Sequence, residues 1–459
     1  MRIIQSPTSW MILLLSLLYP RELPAAAAEP PSRDSLFQGE IDAMFPQWVQ
    51  TRRDLHRHPE LSNQEERTAR LVALKLRELG LEVQTGIGGH GVVAVLRGRD
   101  TPGNEAARCV AVRADMDALP ITEARQTDYR SETPGVMHAC GHDVHVTCAL
   151  GVAELLSKHR DQVNGVVKFI FQPAEEAMPA TFTGDWGAKL MLAQGALENP
   201  RPAAIFGLHC SPLAAPKDGP RAGVEVALEV GKIGYSIGAA SANSDRFQIV
   251  IHGKIAHGSS PHKGVDAIAV AGQVITALQM IRSRETSTLD PVVISVGMIQ
   301  GGTRENIIAD RVEMSGTVRT YDTALRDQVI DLMHRTLGGV TAAHGATYEL
   351  KYRKGYPSIQ NDEQTAEMAV STIKRIVGDH SVFETIPGMG GEDFSYFANV
   401  VPGFYFRLGV ANVQRNVVAG VHTAEFDVDE NCIKVGVMSM ASIVCDFLDP
   451  AQRPSAKLD

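Results

Sequence analysis

The sequence has little cysteine, no long basic run and no internal repeat. Six cysteines in 459 residues fall short of a disulfide scaffold. None of them forms a C-x-x-C pair, which sets aside c-type haem attachment and the usual structural zinc site. Cys432 and Cys445 share one helical pattern, where a rise of about 1.5 Å per residue holds them too far apart to bridge. No specific disulfide is expected. A net charge of −9 without a lysine or arginine stripe excludes a nucleic-acid partner. The apolar stretch at residues 10–19 is about half of the ~20 residues that a membrane-spanning helix needs.

That stretch follows Arg2 and precedes the small-residue run at residues 25–28, the form of a secretory signal. The expectation is removal of residues 1–28 by cleavage after Ala28 and a secreted or periplasmic protein. Beyond it, 44% apolar residues, 21% charged residues and 41 glycines describe an ordinary α/β chain, long enough for two domains.

Ser62-Asn63-Gln64-Glu65 has the pattern of a capping box, with a helix following through Leu71, Leu74 and Leu79. Three short apolar runs, residues 109–112, 166–171 and 203–206, are continuous enough for strands buried on both faces of a parallel sheet. Each ends in potential ligands: RADMDALP, QPAEE and GLHC. Sites in open α/β sheets gather beyond the carboxyl ends of strands, so the three endings are expected to share a crevice.

From Arg246 the order becomes strand, helix, two strands, helix, strand, a ferredoxin-like split pattern. The expected organisation is a catalytic metal-binding domain over residues 45–243 and 358–450, with a mostly parallel sheet flanked by helices. An inserted α+β lid or dimerisation domain occupies residues 244–357. A domain inserted into another leaves a cleft at its hinge.

Residues 138–145, HACGHDVH, hold three histidines, an aspartate and a cysteine. Alone, the segment fits a nucleophilic cysteine with His138 or His142 as base, or a capped helix start. Its neighbours add more. Pro173 ends a strand, so Glu175 and Glu176 lie in a loop from which both can reach one site. Two carboxylates there need cations to offset their repulsion. Asp115 and Asp117 stand at a second strand end as ligands or as supports for a ligating histidine, and His209 stands at a third. Cysteine, histidine and glutamate together suit zinc and related first-row metals, and a pair of ions about 3.5–4 Å apart would employ so many donors while leaving one carboxylate as base.

RADMDALP, MHACGHDVH, IFQPAEE, FGLHC, GKIAHGSSPHKGVDAI, GGTRENII and MGGEDFSYF occur together in order. In this the sequence resembles the hippurate hydrolase and auxin-conjugate hydrolase branch of the dinuclear aminoacylase/carboxypeptidase metallohydrolases, from about Asp54 to the last helix. The resemblance implies a zinc-exopeptidase-like fold in which Cys140, His142, Glu176, His209 and His422 hold two divalent metals, zinc or manganese, with cobalt or nickel possible. It implies Glu175 as general acid/base, His257 as the contact for the developing oxyanion, and Asn306 and Arg319 as substrate contacts. Related branches have H-x-D where this chain has Asp115-Met116-Asp117, so Asp115 and Asp117 are taken as supports. The substrate implied is an N-acyl amino acid or short peptide, and the assembly a homodimer through the inserted domain. Two stretches depart from the commonest family pattern, AMPATFTGDWGAKL after PAEE and SIGAASANSDRF before the inserted domain, which bears on substrate identity. The rival expectations are a carboxypeptidase or dipeptidase, an exported metal-binding protein without turnover, and a cysteine-nucleophile hydrolase.

Overall fold

A computed structural model describes residues 32–99, 109–176 and 184–451. The signal segment expected at residues 1–28 lies outside them. The first element, α1 (Arg33–Arg57), begins ahead of the boundary expected at residue 45. Phe37, Ile41, Met44, Trp48 and Leu55 recur at helical spacing and are buried, so this helix belongs to the main core.

Helix α2 (Glu66–Glu78) follows, but the expected capping box does not form. The Ser62 hydroxyl instead donates to Asp117 (2.7 Å), and the Glu65 carboxylate accepts from the backbone N–H groups of Asn63 and Ala174 (2.8 Å each). Glu65 is fully buried, and the N–H groups of that turn and of the loop carrying Glu175 both bind its Oε1, tying the start of α2 to the glutamate loop.

The main sheet is built from β1 (Glu82–Ile87), β2 (Gly91–Arg97), β3 (Cys109–Asp115), β4 (Val166–Gln172), β5 (Ile205–Ser211) and β6 (Ile233–Tyr235). Helices α3 (His142–Lys158) and α4 (Gly187–Ala193) lie between these strands in the chain. The three predicted apolar runs are the buried strands β3, β4 and β5.

The second sheet consists of β7 (Asp245–His252), β8 (Val292–Gly301), β9 (Arg311–Thr320) and β10 (Thr347–Arg353), with α5 (Ala267–Met280) and α6 (Thr323–Ala343) packed on it. Its order, β8-β9-β7-β10, all antiparallel, is that of the expected ferredoxin-like pattern. It has a core of its own in which Phe247, Ile249 and Ile251 meet Val274 and Met333.

The chain then returns to the main sheet through α7 (Glu363–Val377), β11 (Val382–Glu384), α8 (Phe394–Ala398), β12 (Gly403–Gly409) and α9 (Cys432–Leu448). The eight-stranded order is β1-β2-β4-β3-β5-β12-β6-β11. At its centre β4, β3, β5 and β12 run parallel, whereas β1 and β2 add an antiparallel hairpin at one edge, making the sheet mixed. Helices α1, α3 and α9 pack together on one face, while Met191 of α4 and Phe394 and Phe397 of α8 cover the other. The parallel centre places the ends of β3, β4 and β5 on one side, where the ligand-rich motifs begin.

Candidate metal centre

Cys140, Gly141 and His142 form the turn into α3. Gly141 has φ 89° and heads the helix. A Cβ there would come within 2.7 Å of the Cys210 Cβ, so both the backbone conformation and the close approach to β5 require glycine. The turn brings Cys140 Sγ to 3.3 Å from His209 Nε2 on β5. His209 Nδ1 donates to the Cys210 carbonyl (2.7 Å) and His142 Nδ1 to the Asp117 carbonyl (2.8 Å). A carbonyl only accepts, so both rings keep Nε2 free as a donor to a cation.

From the loop after β4, Glu176 Oε1 lies 3.9 Å from His142 Nε2 and 3.1 Å from His422 Nε2. His422 occupies the left-handed region (φ 61°), held by its N–H on the Ala139 carbonyl (2.8 Å). Cys140 Sγ thus belongs to two donor sets, one with His142 and His209 and one with Glu176 and His422. Within each set the donor atoms lie within 4.8 Å of one another. All five residues expected to hold metal are gathered here.

These residues fit two cations on observations of their own. Among the described residues, buried His142 Nε2 has no hydrogen-bond partner, and buried Glu176 Oε1 has only the His422 ring close by, an arrangement that is costly unless a cation binds there. Burial and then the carboxylates of Glu176, Glu175 and Asp115 push the Cys140 thiol well above its ordinary value, so only a bound cation makes it the thiolate that a metal requires. Burial works against charging His142, but Asp115, Asp117 and Glu176 push its pKa up to about 10. A cation would replace that proton.

Asp115 and Asp117 stand behind these donors. Asp115 accepts from His145 Nδ1 (2.5 Å) and Arg113 Nη1 (2.7 Å). His145 Nε2 in turn accepts from the Cys210 N–H (2.8 Å), clamping α3 to β5. Asp117 accepts from Ser62 and from the Glu176 N–H (2.9 Å), which fixes the glutamate loop.

Glu175 is buried, and its carboxylate oxygens lie within 4.8 Å of those of Glu392 and Asp393. Burial, then the negative charges of Glu392 and Glu176, raise its pKa well above the carboxylate range. Two cations held by the neighbouring donors would offset those charges and favour the ionised carboxylate, the form that can accept a proton from water and give it up again. The Glu175 backbone carbonyl accepts from Tyr356 (2.7 Å).

Arg113, Glu392 and Asp393 are part of the site although the motif reading passes over them. Arg113 reaches Glu392 (3.0 Å) and Asp393 (2.9 Å) through Nη2 and Gln172 through Nε (2.9 Å). The signal was present: strand alternation puts Arg113 on the same face as Asp115 in an otherwise apolar run. The inserted-domain residues are placed differently. His257 and Asn306 lie together, exposed, where the Gly258 N–H donates to the Asn306 carbonyl (2.8 Å). Arg319 donates to the carbonyls of Asp245 and Val318. None of the three lines the cleft of about 230 Å³ that contains Cys140, Glu175, Glu176, His209 and His422.

Comparison with known proteins agrees with this geometry. The chain is 38% identical to thermostable carboxypeptidase 2 of Saccharolobus solfataricus over 87% of its length and 95% of that protein's. It is 42% identical to an N-acyl-L-amino acid amidohydrolase of Geobacillus stearothermophilus over 70% of its length and 80% of the relative's. The crystal structure of the YXEP protein of Bacillus subtilis, described as a dinuclear metal-binding peptidase of the M20 family, superposes with a TM-score of 0.73 at 35% identity, covering 89% of this chain and 99% of that one. The profile of peptidase family M20/M25/M40 matches residues 111–446, so the chain belongs to that family, a metal-dependent hydrolase of amide bonds.

Proposed function

We propose that the protein hydrolyses the amide bond of N-acyl amino acids of the hippurate or auxin-conjugate kind. The observation behind this reading is Glu175, a buried carboxyl to which no side chain among the described residues donates, in one cleft with Cys140, Glu176, His209 and His422 of the donor set that His142 completes. Those five residues would hold two divalent ions; zinc or manganese suits the mixed thiolate, imidazole and carboxylate set, and cobalt or nickel would fit the same ligands. When bound, the ions supply Lewis acidity toward water and the amide carbonyl. Glu175 takes a proton from the attacking water as its oxygen bonds to the carbonyl carbon. It then delivers that proton to the amine nitrogen as the C–N bond breaks. Cys140 is a ligand in this scheme, not a nucleophile.

The homodimer and the roles of His257, Asn306 and Arg319 form one proposal. These residues do not line their own chain's cleft, so they would serve substrate through movement of the inserted domain or from a second copy. Equilibrium sedimentation that found only monomers would remove the second route. The signal pattern supports export to the periplasm or beyond, and detection of an unprocessed chain in the cytoplasm would refute it.

A carboxypeptidase or dipeptidase with the same site is the second reading, favoured by the likeness to the Saccharolobus carboxypeptidase. A panel of N-acyl amino acids and dipeptides, assayed before and after chelation, tests both. The proposal expects N-acyl amino acids to be cleaved faster and all cleavage to stop on chelation. Faster dipeptide cleavage would select the second reading, and cleavage unaffected by chelation would end both.

A further inference from the structure

Along β12, Phe404, Phe406 and Leu408 are fully buried, whereas the intervening Tyr405 and Arg407 face the cleft. Arg407 is paired with His209 in the parallel register of β12 on β5, so its side chain emerges from the same sheet face beside a metal donor. Arg407 is partly exposed to the cleft, yet no hydrogen bond or ion pair joins its guanidinium to any other described residue. The titratable groups around it are Tyr405, Tyr321 and Glu225. Tyr405 donates to Glu392 (2.6 Å) and Tyr321 to the Pro387 carbonyl (2.6 Å), while Glu225 is outside ion-pair distance. Glu392, the carboxylate on the same wall, is occupied by Arg113, Tyr405 and the Phe394 N–H.

The cleft around this cation is open because its wall lacks side chains. A Cβ at Gly388 would come to 2.9 Å from Arg407 Nη2, and Gly390 and Gly391 continue the wall. A guanidinium drawn from water without a partner is costly; its planar fork matches a carboxylate. We propose that Arg407 anchors a carboxylate of the substrate, making an anionic group within reach of β12 a requirement for efficient hydrolysis. The inference rests on the amide-hydrolase reading and deepens it. The carboxylate is either that of the amino acid or that of an acidic acyl group.

Two matched pairs of probes separate these sources. N-acetyl-L-methionine is compared with its carboxamide, and N-succinyl-L-methionine with N-butyryl-L-methionine, by kcat/KM on the metal-loaded wild type, Arg407→Met and Arg407→Lys. Arg407→Met should lose roughly 10- to 100-fold on the probe bearing the anchored carboxylate and little on its neutral partner. Arg407→Lys should recover part of the loss. Collapse of the first pair's difference assigns the amino-acid carboxylate, and collapse of the second assigns the acyl carboxylate; either supports the anchor. Equal losses on both members of both pairs, or no loss on any, overturn it.

Binding of the same pairs to metal-loaded Glu175→Gln protein, with and without Arg407→Met, provides a readout independent of turnover. A preference for the carboxylate that depends on Arg407, found where the wild type hydrolyses none of the probes, would keep the anchor and refute the hydrolase reading. Equal binding of carboxylate and neutral probe refutes the anchor whatever the turnover.

Discussion

Two carboxylates buried in this chain, Asp245 at the start of the second sheet and Glu175 beyond the end of β4, lead opposite lives. Asp245 accepts from Arg326 through both oxygens, from Tyr352 (2.7 Å) and from the Gly355 N–H (2.9 Å). Glu175 has no such partners among the described residues and faces Glu392 and Asp393. A buried charge whose lone pairs are filled is a structural device, whereas one left among like charges stores electrostatic energy that a ligand or proton can release. The same contrast separates the two domains: the inserted domain has an apolar core with the buried Asp245–Arg326 pair beside it, and the end of the main sheet concentrates ionisable groups around a cleft.

The strongest way to break that contrast is Glu175→Gln. It should lower kcat by roughly 10²- to 10⁴-fold, the usual share of a general base, with both metals retained. Metal content measured alongside the rate decides the assignment: loss of metal would mean that Glu175 and Glu176 have exchanged roles. For Asp245 the parallel change is Arg326→Met, which leaves the carboxylate buried without its counter-charge, with only Tyr352 and the Gly355 N–H donating to it. Denaturant titration should show a loss of about 3–5 kcal/mol, and Asp245→Asn in the same background should restore part of it. Stability unchanged in the single variant would show that water reaches Asp245.

How much of this was legible follows from the same physics. Buried parallel strands appear in the sequence as unbroken apolar runs, and covalent continuity carries Asp115, Glu175 and Glu176 to the sheet end, so the convergence of these residues with Cys140 could be anticipated. Arg113 was hidden because a charge inside a strand run resembles an interruption until its partners Glu392 and Asp393, far away in sequence, are placed. Ser62 and Glu65 match a local capping pattern, but tertiary demand from Asp117 and Ala174 overrides it. Helix α1 was passed over before residue 45 although its apolar spacing was there. His257, Asn306 and Arg319 were beyond sequence reasoning for another reason: motif order does not set the orientation of an inserted domain about its hinge.

Asp115 sharpens the contrast between filled and open carboxylates, because it has features of both. Its lone pairs are taken by Arg113 and His145, and burial is outweighed by Arg113, His142 and His145, which hold it well below the ordinary range. If, with those lone pairs filled, it acts as a support for the ligands, Asp115→Asn should weaken metal affinity by roughly 10- to 100-fold, measured by competition with a chelator. Abolition of binding to one site would make Asp115 a direct ligand.

The smallest effect concerns His56, on the other side of HACGHDVH from the cleft. Burial and the Arg52 charge oppose its protonation, but the hydrogen bond to Asp143 (2.8 Å) and the nearby Glu123 carboxylate (3.5 Å) prevail and raise its pKa. Because the folded value lies above the unfolded value of about 6.5, protonated His56 contributes stability that is fully present below that pH and fades as pH rises through the folded pKa. Melting temperatures of wild type and His56→Gln across pH 5.5–9 should therefore differ most at the acid end and converge toward the alkaline end. A constant difference would mean that His56 is neutral throughout and acts by packing against Tyr129.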